Sequence, residues 1–117
     1  LGFHLGFSGQ IIREYLVVAS RPAEVNGLGM EIESVLGNID SFKNNIIFYE
    51  EIKDVSNTLC SLVGNLGLKG KKIHDANVVA TMLTHGIVKL ITENQGDFID
   101  FSQIETCNLA FFKSFQV

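Results

Sequence analysis

Lys72-Ile73-His74-Asp75-Ala76-Asn77-Val78-Val79-Ala80-Thr81-Met82-Leu83-Thr84-His85-Gly86, continued by Ile87-Val88-Lys89-Leu90-Ile91 and Thr92-Glu93-Asn94-Gln95-Gly96-Asp97-Phe98, is the most informative stretch of this chain. Ala76, Val79, Ala80 and Leu83 recur at helical spacing, which predicts a helix from about Ile73 to His85. Gly86 fits the left-handed residue that closes a helix. Ile87–Ile91 has almost no polar alternation and reads as a strand covered on both faces. Asp75 then stands at a helix start, and Asp97 stands just past a buried strand. In open α/β folds the carboxyl edge of a parallel sheet is the usual ligand site, and paired acids there suit a hard metal ion.

Working outward, Ser8 is placed to cap a helix whose apolar stripe is Ile11, Ile12, Tyr15, Leu16 and Ala19. Arg21-Pro22 ends it, because a residue before proline avoids the helical region. Residues 23–29 read as a loop. Met30, Ile32, Val35, Leu36, Ile39 and Phe42 mark a second helix, which Asn44-Asn45 breaks. Ile46–Tyr49 is short, β-branched and aromatic, hence a strand. Val55, Leu59, Leu62, Val63 and Leu66 give a third helix, which Gly64, Gly67 and Gly70 fray into a loop bearing Lys69, Lys71 and Lys72. A short strand is expected near Ile104–Thr106. Phe111, Phe112 and Phe115 are either a docking patch or core, and Leu1–Phe7 shows no clear first element. Alternating helices and strands predict an α/β sandwich with a mainly parallel sheet.

The totals bound the function. At 117 residues the chain has the length of one domain. Hydrophobic residues are 46% and charged residues 19%, a globular balance. The net charge of −4 argues against a broad electrostatic grip on nucleic acid, although bound cations can supply charge to a small acidic site that handles phosphates. No apolar run approaches the ~20 residues that cross a bilayer, and no basic-then-apolar start suggests a secretion signal. Cys60 and Cys107 match no zinc or redox spacing and read as reduced thiols of a cytoplasmic protein.

Several residues are candidates for chemistry, each with a plainer alternative. Asp75 either ligates Mg²⁺ or Mn²⁺ or caps its helix; the helix dipole favours its ionised form. Asp97 either ligates or caps a turn anchored by Phe98. Asn94 ligates, orients a water, or serves turn chemistry. Glu14 lies beside the apolar stripe of the first helix and either points at a cleft edge or is exposed. Lys69, Lys71 and Lys72 either steer an RNA backbone toward the acids or form a solvated basic turn. Arg13 and Arg21 either meet phosphate or a partner's carboxylate, or lie on the surface. His74-Asp75 has the form of the HD phosphohydrolase dyad, but those sites need further His and Asp ligands, and only His4 and His85 remain.

Ile11-Ile12-Arg13-Glu14-Tyr15-Leu16, Ser20-Arg21-Pro22, His74-Asp75-Ala76-Asn77-Val78-Val79-Ala80 and Thr92-Glu93-Asn94-Gln95-Gly96-Asp97-Phe98, in this order, resemble PIN-domain proteins. Within them the chain is most similar to VapC-type toxin ribonucleases, from about Ser8 to Asn108. The resemblance implies a three-layer α/β/α sandwich around a parallel sheet. It also implies carboxylates holding Mg²⁺ or Mn²⁺, and hydrolysis of RNA phosphodiester bonds. Residue by residue, Glu14 matches the acid of the substrate-side helix and Asp75 the metal-binding acid of the later helix. Asn94 and Asp97 fall in the loop that supplies the last acid, where the family often has Asp at the position of Asn94. Lys71, Lys72 and Arg13 are the expected RNA contacts. A homodimer blocked by a cognate antitoxin is implied as well. The family's first strand carries a principal metal-binding Asp that nothing here matches, so the family's first strand and adjacent helix are expected to be missing. The alternative is a catalytically degenerate or truncated PIN-like module that binds RNA or a protein partner.

Overall fold

In the computed structural model, residues 6–108 are described; His4 and the aromatic tail of Phe111, Phe112 and Phe115 lie outside them. The chain divides into two compact units, one ending at Glu51 and one beginning at Ile52, each with its own apolar core.

The first unit contains β1 (Gly6–Ser8), α1 (Gly9–Ser20), α2 (Ile32–Asn45) and β2 (Ile47–Tyr49). The strand β1 corrects the expectation of no first element. Three residues reading Gly-Phe-Ser carry no sequence signal, and β1 exists through its parallel ladder with β2, which pairs Gly6 with Ile47 and Ser8 with Tyr49. Gly6 is required by packing, since a Cβ there would stand 2.1 Å from the Tyr49 ring. Ser8 occupies the N-cap position of α1 in extended geometry but makes no side-chain capping bond. It is also the buried last residue of β1, paired with Tyr49.

Ile12, Tyr15, Leu16 and Ala19 lie on one face of α1, at the spacing expected of a helix stripe. They pack with Val35 and Ile39 of α2, whereas Ile11 is exposed. The Asn38 amide donates to the Tyr15 hydroxyl at 2.8 Å, and the Tyr15 ring meets Phe42 edge-on. Arg21 ends α1 in extended geometry before Pro22. The loop that follows holds a short 3-10 turn, Ala23–Val25, and folds back so that the Met30 N–H donates to the Ala19 carbonyl. Helix α2 begins at Ile32, two residues after the expected Met30, because Glu31 takes the extended cap position.

The second unit contains α3 (Lys53–Leu66), α4 (Lys72–Thr84), β3 (Lys89–Ile91) and β4 (Glu105–Cys107). Helix α3 runs through Gly64 and is closed by Gly67 at φ +64°, so the expected fraying at Gly64 does not occur. Packing of Leu62, with Leu59 and Val63 beside it, outweighs the ~1 kcal/mol that an interior glycine costs. Ala76, Val79 and Ala80 of α4 are fully buried against α3 residues and against Phe98 and Phe101. Gly86 has the expected positive φ.

The strand after α4 is shorter than Ile87–Ile91. The Ile87 N–H is tied to the Met82 carbonyl in the helix-ending turn, and only Lys89–Ile91 pairs. Two-sided cover is also corrected, for Val88 is half exposed and Lys89 lies in solvent. The sheet here is a two-stranded parallel ladder, β3 with β4 in the register Lys89–Glu105, Leu90–Thr106 and Ile91–Cys107. The architecture is α/β: among the described residues, four helices accompany two parallel ladders. No helix among them is long and apolar enough to cross a membrane.

Candidate functional site

The site is built from the start of α4 and the turn that follows β3. Helix α4 begins at Lys72, with Lys71 in the cap position and no side-chain capping bond. Asp75 is therefore the fourth helical residue and not the cap, which removes the plainer alternative for it. The turn after β3 contains a 3-10 helix, Gln95–Phe98. The Asn94 N–H donates to the Thr92 hydroxyl at 3.0 Å, and the Asp97 N–H donates to the Asn94 carbonyl at 3.0 Å. Phe98 plugs the turn into the core beside Phe101, which leaves Asp97 and Asn94 at the surface.

The start of α4 meets this turn, from a segment far away in sequence. Burial raises the Asp75 carboxyl above the ordinary aspartate value. Lys72 pulls it back, the negative charge of Asp97 pushes it further up, and His74 opposes weakly. The expected preference for ionisation at a helix start is thus outweighed. Asp75 lies at the end of the first turn, where the dipole fades, and desolvation of the charged form prevails.

Lys72 ties the two segments together. Its ammonium lies 3.9 Å from Asp75 Oδ2 and donates to the Asp97 backbone carbonyl. It also stands 5.8 Å from the centre of the buried Phe101 ring. Lys72 and Asp75 are 28% and 30% exposed in their side chains, whereas Lys69 and Lys71 lie in solvent. The sequence missed this role for Lys72, although its i,i+3 spacing to Asp75 was a readable signal. The aromatic floor from Phe101 had none.

The other candidates belong to other elements. Glu14 is exposed on α1 in the first unit, and Arg13 beside it pairs loosely with Glu51 at 3.7 Å. The Arg21 guanidinium donates to the Asn26 carbonyl at 3.3 Å. His74 is exposed, and His85 closes α4. Among the described residues, no group of three or more His, Cys, Asp or Glu is placed to hold a metal ion.

No protein-family model, curated protein or solved structure matches this chain.

Proposed function

We propose that this chain is a PIN-like domain of the VapC type, a metal-dependent endoribonuclease that hydrolyses RNA phosphodiester bonds. The observation that supports this reading is the contact of the α4 start, which carries Asp75, with the turn that carries Asp97: the Lys72 ammonium lies 3.9 Å from Asp75 Oδ2 and donates to the Asp97 backbone carbonyl. Asp75 and Asp97, with Asn94 alongside, would hold Mg²⁺ or Mn²⁺, and Glu14 is assigned as a further acid on the resemblance alone. When bound, the ion lowers the pKa of a water and neutralises charge on the phosphate. Lys71 and Arg13, both exposed, would position the RNA strand, and Lys72 sits beside the acids. The proposal carries with it the three-layer α/β/α sandwich, a homodimer and an inhibiting antitoxin.

The complete protein should cleave RNA only with Mg²⁺ or Mn²⁺ present. Asp75→Asn and Glu14→Gln should each lower the rate by at least about a hundredfold, as loss of electrostatic transition-state stabilisation does. Equal cleavage by all three proteins defeats the residue assignment, and cleavage in a chelator defeats the metal mechanism.

A further inference from the structure

Three contacts converge on the Lys72 ammonium. It donates to the Asp97 backbone carbonyl, it lies 3.9 Å from Asp75 Oδ2, and it stands 5.8 Å from the centre of the Phe101 ring. The carbonyl bond joins the first residue of α4 to the turn after β3, 25 residues further along the chain. Being charge-assisted, it is stronger than a bond between neutral groups, and an aromatic face within about 6 Å adds attraction. The pairing with Asp75 is long and partly exposed, and adds little. Phe98 and Phe101 are buried and anchor the same turn in the core. Lys69 and Lys71, by contrast, lie in solvent. A lysine that meets a substrate phosphate must be free to reach it, and Lys72 would have to leave all three contacts to do so.

We propose that Lys72 is a positioning residue, a tie that holds the turn bearing Asn94 and Asp97 against the start of α4, and not a contact for RNA. Its effect on cleavage rests on the ribonuclease reading above; its effect on the turn does not. The turn's own bonds are short-range, from the Asp97 N–H to the Asn94 carbonyl and from the Phe101 N–H to the Phe98 carbonyl. They shape the turn without fixing where it lies. Placement comes from Phe98 and Phe101 in the core, from the Thr106 hydroxyl, which donates to the Gln95 side chain at 3.1 Å, and from Lys72. Removing the ammonium loosens the turn but spares the helices, whose packing is made by apolar residues of α3 and α4. Groups held slightly out of place lower the rate of a reaction without weakening the grip on its substrate. Lys71, next in the chain and exposed, is the lysine left to meet phosphate.

Three measurements on the full chain test this. In Lys72→Met, the amides of Asp97 and Phe101 should exchange with deuterium on the order of tenfold faster, as loss of a bond to a charged donor implies. Those of Leu62 and Val63 in α3 should keep their native rates. No acceleration at the turn, or equal acceleration in α3, overturns the tie. In the native protein, an amine-directed acylating reagent read by mass spectrometry should label Lys72 on the order of tenfold more slowly than Lys69 and Lys71, since the bond must open first. Equal labelling overturns the tie, and this arm decides alone should Lys72→Met fail to fold. With a single-stranded RNA oligonucleotide as substrate, Lys72→Met should lower kcat on the order of tenfold and leave KM unchanged, whereas Lys71→Met should raise KM. A raised KM with unchanged kcat in Lys72→Met makes Lys72 an RNA contact and overturns the proposal. If the native protein cuts no RNA, the ribonuclease reading fails, and exchange and labelling decide the tie without it.

Discussion

Asp75 shows how a single carboxylate is set by opposing influences. Burial and the charge of Asp97 favour its protonated form, and Lys72 and His74 favour the ionised one, with burial the largest. The net direction is upward, so the folded chain holds this proton to higher pH than the unfolded chain does. Stability attributable to Asp75 is therefore fully present below the ordinary aspartate value of about 3.9 and is lost as pH rises through the raised folded value. Asp75→Asn removes the penalty. Its thermal midpoint, followed by circular dichroism without metal, should exceed that of the native protein at pH 7 and match it at pH 3. A lower midpoint at pH 7 would mean that the Lys72 pairing outweighs burial. Asp75 as a candidate acid was visible in the sequence, from its place at a helix start. Its desolvation was not, because burial is set by how the folded chain packs and not by the neighbouring residues.

Helix α3 illustrates what an element tolerates. Gly64 lies inside the helix, and a Cβ added there would meet open space; Gly67 closes the helix at φ +64° with equally open space around it. The two glycines thus differ in backbone conformation and not in crowding. Gly64→Ala should stabilise the protein by about 1 kcal/mol, the helix-propensity difference. Gly67→Ala should destabilise it by about 1–2 kcal/mol, the left-handed penalty for a residue with a Cβ. Denaturant titration of the two variants checks the opposite signs. The helices were legible because their apolar residues recur along a stripe that local sequence displays. The strands were less so. The three-residue strand β1 is defined by its ladder partner, and its own residues say little, whereas β4 was expected near Ile104–Thr106 and pairs one residue later, at Glu105–Cys107.

For the molecule as a whole, the two units differ in how much they bury. The second unit gathers Val55, Leu62, Ala76, Val79, Ala80, Phe98 and Phe101 into one core, and the first gathers Ala19, Val35 and Ile39. The first unit also exposes more of its large apolar side chains, among them Val17, Leu28, Leu36 and Phe48. Local stability follows buried apolar packing. Native-state hydrogen exchange should therefore find the amides of Val79 and Ala80 in α4 the best protected, and those of Leu16 and Ala19 in α1 exchanging faster. Equal protection would show that the units open together.

Local periodicity and turn chemistry in the chain were enough to give the helices, the α/β class, the closing glycine at Gly86 and the identity of Asp75 and Asp97 as candidate acids. These are properties of neighbouring residues and are written in spacing. The pairing of β1 with β2, the bond from Lys72 to the Asp97 carbonyl and the seat of Lys72 over Phe101 came only from the folded chain. Each joins segments separated by a helix or a loop, and their energies arise from burial and from charge across space, which residue order does not encode.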